Sequence, residues 1–273
     1  MATPHALITG GSSGIGQELA CKLAAKGYSI SLIARREGRL KEAAADVTQY
    51  FTSPEQRAVI HPADVARSTE AENAVEAAIA DLGPPDLVVT SAGIAVPGHF
   101  SELPVDAFER SMAVNYFGSL YTVRAALPSM RARQSGRLLF ISSGAGLMGI
   151  FGYTTYSPTK FALKGLAECL RAELKRDDVR VSIAYPPDTD TPMLAEENRT
   201  KPEETKLITG VVKTWNATAV ADSIMEGIAR GKFAITPGAA LTLMNRAPGI
   251  AIPLLTWYAD RLAARVAPRA SGK

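Results

Sequence analysis

The chain has 273 residues, 47% of them hydrophobic and 21% charged, with a net charge of +3 at pH 7. That length and apolar content suffice for one large core, and α/β domains of this size commonly stay undivided, so no second folding unit is expected. Cys21 and Cys169 lie in separate helical patterns without C-x-x-C spacing, and His5, His61 and His99 are scattered, which argues against a disulfide and against any metal site.

Residues 1–4 carry no leader pattern and run straight into His5-Ala-Leu-Ile-Thr9, so a cytoplasmic chain is expected. The apolar run reads as a short buried strand. Thr9-Gly-Gly-Ser-Ser-Gly-Ile-Gly16 follows it and precedes a periodic helix over 17–26. Gly10, Gly14 and Gly16 permit a tight turn, close approach of backbone to a pyrophosphate and close helix–strand packing, while the helix N-terminus supplies amide donors. The spacing is G-x-x-x-G-x-G, not G-x-G-x-x-G. A second strand covers 29–34, and the residues after it select the nicotinamide cofactor. An acid there would bond the ribose 2′-hydroxyl of NAD; this chain has Arg35, Arg36 and, one helical turn later, Arg39. Guanidinium groups favour a 2′-phosphate, and Ser12 and Ser13 add hydroxyl donors, so NADPH/NADP is the expected cofactor.

Beyond this point helical patterns over 40–48, 70–81, 105–133 and 156–176 alternate with strand patterns over 58–62, 86–90, 137–142 and 180–185. The alternation implies a single-domain, Rossmann-like α/β fold: a doubly wound parallel sheet with helices on both faces and ligands at the carboxyl ends of its strands. The glycine turn, Ala92-Gly93, Ser143 and Pro186 all follow strand ends, so one crevice can collect them. Residues 1–236 are assigned to this dinucleotide-binding and catalytic domain, with a substrate loop over 186–210, and residues 237–273 to an apolar and basic tail.

Ser143, Tyr156 and Lys160 place a hydroxyl, a phenol and an ammonium where one ketone or alcohol can meet all three. Tyr-x-x-x-Lys puts the last two one helical turn apart. Lys160 is expected to lower the pKa of Tyr156 by setting a positive charge beside the developing phenolate. Ser142 offers a second hydroxyl at the same strand end; spacing and strand alternation favour Ser143.

These motifs, in this order, resemble the short-chain dehydrogenase/reductase family over roughly residues 5–235. The resemblance implies that Gly10, Ser12, Ser13, Gly14, Ile15 and Gly16 form the cofactor motif, with Asp64 and Val65 at the adenine ring. It implies that Ala92 and Gly93 are the remnant of an Asn-Asn-Ala-Gly motif, and that Asn115, Ser143, Tyr156 and Lys160 are a catalytic tetrad. In that tetrad Lys160 also holds the nicotinamide ribose, and Asn115 holds a relay water. Thr189 through its backbone and Thr191 through its hydroxyl are implied to orient the carboxamide. Helices 115–133 and 156–176 are implied to pair across the subunits of a homo-oligomer. Two departures stand out: Thr90-Ser91 replaces the paired asparagines, weakening a strand-stabilising contact, and Pro187 replaces the glycine of a Pro-Gly pair.

Two longer stretches narrow the resemblance. Ala184-Tyr-Pro-Pro-Asp-Thr-Asp-Thr-Pro192 with Glu196-Glu-Asn-Arg-Thr-Lys-Pro202, and Gly152-Tyr-Thr-Thr-Tyr-Ser-Pro-Thr-Lys160, are similar to the 3-ketodihydrosphingosine reductases, where Pro187 fits. A small-molecule lipid substrate is implied, a sphingoid ketone beside an aminated carbon with a long alkyl tail. Asp188 and Asp190 suit a cationic amine, or else cap the next helix. The rival readings are a reductase of another ketone, such as a 3-oxoacyl thioester or a steroid, and a non-catalytic NADPH-binding sensor. A complete proton relay weighs against the sensor.

Residues 241–273 carry a net +4, which leaves the rest of the chain slightly acidic. Arg261, Arg265 and Arg269 recur every four residues beside Leu254, Leu255, Trp257, Tyr258, Leu262 and Val266. That is the composition of an amphipathic helix lying on the cytoplasmic face of a membrane; a lid over the pocket and a subunit contact are equal alternatives. The apolar run 247–258 is too short and too broken by proline to span a bilayer, which takes about 20 residues. No base-stacking platform interleaves the positive charge, so no nucleic-acid partner is expected.

Overall fold

Parallel strands covered on both faces read as continuous apolar runs, and the runs of this chain pair as such. In the computed structural model, which describes residues 3–266, β1 (His5–Thr9), β2 (Ser29–Ala34), β3 (Ala58–Pro62), β4 (Leu87–Thr90), β5 (Gly136–Ile141) and β6 (Val179–Ala184) lie within a residue or so of the expected strands. A seventh strand, β9 (Ala234–Ile235), completes one parallel sheet of order β3-β2-β1-β4-β5-β6-β9. Two residues are too few to show a period, so β9 was not legible in the sequence.

Alternate side chains of each strand enter opposite cores. Leu7, Val88, Leu138 and Phe140 pack with Val75 of α3 (Ser68–Leu82), Ala126 of α5 (Gly118–Ala132) and Leu163 of α6 (Ser157–Glu173). Ala6, Ile8, Val89 and Leu139 pack with Leu19 of α1 (Gly14–Ala24), Leu40 of α2 (Glu37–Thr48) and Val220 of α9 (Ala217–Ala229). The chain winds outward from β1 in one direction and from β4 in the other. Their carboxyl ends therefore part, and a crevice opens between the loops that leave them.

The helix expected over 105–133 is divided. α4 (Val105–Met112) passes through a π turn, Ala113–Phe117, before α5 begins. Gly118 donates its N–H to the Ala113 carbonyl five residues back, which widens the helix at Asn115. Gly118 is needed there, because a Cβ would stand 2.8 Å from the Val65 side chain.

After β6 the sequence pattern resolved only an amphipathic helix in the tail, and the structure adds several elements. β7 (Thr189–Asp190) pairs with β8 (Trp215–Asn216), and between them run α7 (Pro192–Thr200) and α8 (Glu203–Thr209). α10 (Ala239–Arg246) and α11 (Pro248–Ala263) follow β9, and α11 packs on α8. Arg269 and Lys273 of the basic tail lie outside the described residues. Among those described, no helix is long and apolar enough to cross a membrane.

Candidate active site

The crevice begins at the glycine turn. Gly10 has φ +69°, and a Cβ on it would lie 2.6 Å from the Ala92 nitrogen, so the turns after β1 and β4 touch backbone to backbone. Gly14, also at positive φ, lies against Thr191, whose Cγ2 would be 2.9 Å from an added Cβ. Gly16 is buried beneath the turn against the Gly10 carbonyl. The N-terminus of α1 has no side-chain cap, and the N–H groups of Gly14 and Ile15 have no acceptor among the described residues. A glycine-lined turn over free helix amides fits a pyrophosphate.

Gly10, Ser12, Ser13, Gly14, Ile15, Arg35, Arg36, Asp64, Val65, Ala92 and Gly93 all line one cavity of about 400 Å³. Arg39 does not: it stands on the solvent face of α2, 3.3 Å from Glu42. Asp64 uses Oδ1 to accept the Ala66 N–H at 3.1 Å. The Thr90 hydroxyl, where the family pattern has asparagine, is buried without a hydrogen-bond partner among the described residues.

Ser143, Tyr156 and Lys160 line the same cavity. Ser143 ends the β5 connection in extended conformation, and its Oγ accepts the Ala145 N–H at 3.1 Å, which leaves its own proton free to donate. Ser142 is spent: its hydroxyl donates to the Lys160 carbonyl at 3.1 Å, tying the start of α6 to β5. Lys160 donates to the Ile141 carbonyl at 3.1 Å and stands 5.3 Å from the Tyr156 ring centre. Asn115 is fully buried; it accepts the Ile94 N–H at 2.8 Å and donates to the Ile94 carbonyl and the Thr159 hydroxyl, each at 2.9 Å. Its side chain therefore braces the β4 loop against α6.

One electrostatic expectation fails. Burial raises the Tyr156 phenol above its ordinary pKa, Glu197 and Asp188 push it further, and the neighbouring Ser143 hydroxyl pulls it only part of the way back. The same burial brings Lys160 down to about 8, against the opposing pull of Glu197. Desolvation thus weakens the cation that was to acidify the phenol. The raised pKa keeps the Tyr156 phenol protonated.

Glu197 is the residue that sequence reasoning missed. It sits on α7 with only 6% exposure, accepts the Tyr153 hydroxyl at 2.6 Å, and lies 3.8 Å from the buried Lys201 ammonium. Lys201 also reaches Asp188 at 3.4 Å. The two stretches that narrowed the family resemblance thus meet in space, a signal that could have been sought as complementary charge and hydroxyl. Asp190 is exposed. Neither aspartate caps α7; Thr191 does so, accepting the Leu194 N–H at 3.2 Å, so its hydroxyl is engaged there. Thr189 donates to the Pro187 carbonyl at 2.8 Å.

Beyond Tyr156 the lining turns apolar, with Met193, Leu194, Ile208, Val212, Leu241, Met244, Leu255 and Leu262 from α7, α8, α10 and α11 and the loop after α8. Gly144 lets Leu241 close on the Ser143 loop, since a Cβ would meet it at 2.9 Å. Among the described residues no group of His, Cys, Asp or Glu is placed to hold a metal ion.

The profile of the family described as short chain dehydrogenase matches residues 4–202. The chain belongs to the short-chain dehydrogenase family. A mouse relative named 3-ketodihydrosphingosine reductase is 44% identical over 230 residues, 84% of this chain and 69% of the relative. Among solved structures, levodione reductase superposes with a TM-score of 0.78 at 23% identity, covering 87% of this chain and 97% of that one. An alcohol dehydrogenase from Thermococcus sibiricus, complexed with 5-hydroxy-NADP, does so at 0.73 and 25%, covering 85% and 95%. The first likeness carries the fold alone.

In this short-chain dehydrogenase the bracing by Asn115 is open to measurement. Asn115→Ala leaves both polar groups of the Ile94 peptide unpaired and should lower unfolding free energy by about 1–3 kcal/mol in urea denaturation. Unchanged stability would remove Asn115 from the framework.

Proposed function

We propose that this chain is an NADPH-dependent reductase of 3-ketodihydrosphingosine, forming dihydrosphingosine in sphingolipid biosynthesis. One observation carries the reading: a single cavity runs from Arg35 and Arg36, past Ser143, Tyr156 and Lys160, to an apolar wall built by the helices after β6. A long-chain ketone and a phosphorylated dinucleotide together match that order of charge, proton donor and hydrocarbon. The name of the mouse relative supports the same substrate.

The glycine turn and α1 amides hold the pyrophosphate, and Arg35 and Arg36 favour a 2′-phosphate over a bare ribose. Asp64 and Val65 would hold the adenine, and Thr189 and Thr191 the carboxamide, since all four line the cavity. The bound nicotinamide supplies hydride to the ketone carbon. Ser143 donates its free proton as a hydrogen bond to the ketone oxygen, and Tyr156 transfers its phenolic proton to that oxygen as charge develops there. Lys160, beside the phenol, stabilises the phenolate left behind; it carries most of its charge below about 8. Burial keeps water from competing for the proton.

Residues up to 236 form the catalytic domain in this reading, and α10 and α11 close its lipid end. Leu255, Tyr258 and Leu262 of α11 face the cavity. The neighbouring stripe, Ile250, Leu254 and Trp257, is exposed by 71%, 63% and 55%, and Arg261 stacks 4.0 Å over the Trp257 ring. That stripe suits peripheral contact with an anionic bilayer at its cytoplasmic face. Exposed Phe117 and Phe161 support pairing of α5 and α6 with a second copy.

With NADPH, purified protein should reduce 3-ketodihydrosphingosine in detergent faster than a 3-oxoacyl thioester. Tyr156→Phe should lower kcat by about 100-fold or more with NADPH affinity retained. Preference for the thioester would move the chain to another branch of the family, and near-normal turnover by the variant would refute the proton donor. Arg35→Asp should weaken NADPH by at least about tenfold and NADH far less, through repulsion of the 2′-phosphate; equal losses would sink the phosphate site. Co-sedimentation should show binding to anionic but not zwitterionic vesicles, lost in Leu254→Asp/Trp257→Asp, and light scattering should report a dimer or larger. Absence of either removes that contact from the reading.

A further inference from the structure

Glu197 is 6% exposed, lines the cavity, and uses Oε2 for the Tyr153 hydroxyl and the Lys201 ammonium. Its Oε1 accepts no hydrogen bond among the described residues and keeps some contact with solvent. Within ion-pair distance Glu197 and Asp188 share one ammonium, Lys201, which is 5% exposed and stands 5.7 Å from the Tyr153 ring centre, while Lys160 acts on Glu197 from farther away. A buried carboxylate with an unused oxygen is costly to maintain unless a further cation or donor meets it. Tyr153 links this carboxylate to Tyr156: its hydroxyl donates to Glu197, and its ring lies 5.6 Å from that of Tyr156.

We propose that Glu197 is a specificity-determining residue whose free carboxylate oxygen binds the ammonium on the carbon adjoining the substrate's ketone. The inference rests on the reading of the chain as a reductase of an aminated long-chain ketone and deepens it. Tyr153 and Lys201 hold the carboxylate in position; burial raises its pKa, and the Tyr153 hydroxyl with the Lys201 and Lys160 ammoniums pulls the other way, toward the ionised form. A ketone seated at Ser143 and Tyr156 carries its amine one carbon away, and Glu197 lines the same cavity close enough for its charge to act on both Tyr156 and Lys160. Asp188 lines the same cavity but is the more hydrated of the two, its side chain 31% exposed against 7% for Glu197, and Asp190, the other aspartate suited to an amine by sequence, is exposed. An uncharged ketone leaves Glu197 without its cation, so the site discriminates by charge as well as by length.

The test uses the full-length protein with NADPH and two ketones of equal length: 3-ketodihydrosphingosine, and the same compound with hydrogen in place of the amine. The wild type should prefer the amine by about 10- to 100-fold in kcat/KM, the range of a charged hydrogen bond. Glu197→Gln keeps the shape and an acceptor for Tyr153 but removes the charge. Its preference should fall to within about threefold of unity, with the loss carried by KM. A wild-type preference below about tenfold overturns the inference and leaves the reductase reading standing. Equal losses on both ketones in Glu197→Gln mean that the residue merely props Tyr153, and overturn it likewise. Reduction of neither ketone by the wild type overturns the reductase reading itself. Should thermal melting show that Glu197→Gln does not fold, the wild-type preference decides alone.

Discussion

The site depends on one constraint, the contact of backbone with backbone where the turns after β1 and β4 meet. Gly10 can touch Ala92 because neither a Cβ nor a larger turn intervenes, and the reversal of strand order at that point opens the crevice. The free amides of α1, the arginines after β2, and the loops carrying Asp64 and Gly93 all converge because parallel strands end on the same side. A sheet covered on both faces tolerates no slip of register, since a shift by one residue would exchange the two cores. Precision in the site is therefore inherited from hydrophobic alternation in the strands.

A second layer of order comes from polar groups sealed between elements. Asn115 joins the β4 loop to α6, and Ser142 joins β5 to the start of α6. These bonds hold α6 where the Ser143 hydroxyl, the Tyr156 phenol and the Lys160 ammonium line one cavity. The same enclosure acts on their ionisation: it favours neutral forms, raising Tyr156 and lowering Lys160 toward the middle of the pH range. Exclusion of water and the shift of both groups are one physical effect.

The apolar half of the cavity is built by a different part of the chain. The Rossmann-like core carries Ser143, Tyr156 and Lys160, whereas α7, α8, α10 and α11 supply the apolar wall, and the α7 segment brings Glu197 and Lys201 against Tyr153. The two parts meet at the pair Tyr153 and Tyr156, three residues apart at the entrance to α6. In such a fold the wall can vary while the core is kept.

The sequence by itself determined the fold class, six of the seven sheet strands and the Ser143, Tyr156 and Lys160 constellation, because each rests on local periodicity or on fixed spacing within one segment. It also marked the glycine turn and Arg35 and Arg36, which line the crevice as expected. It placed Arg39 there too, because spacing along a helix does not say which way a side chain leaves it. Only the tertiary structure decided that the Tyr153 and Glu197 stretches meet, that Thr191 rather than Asp190 caps α7, and that α11 turns one stripe to the cavity and the other outward. Those outcomes depend on contacts between residues tens of positions apart, formed by short elements without a readable period. The direction of the Tyr156 shift belongs with them, since it is set by burial, a property of the packed chain and not of any motif.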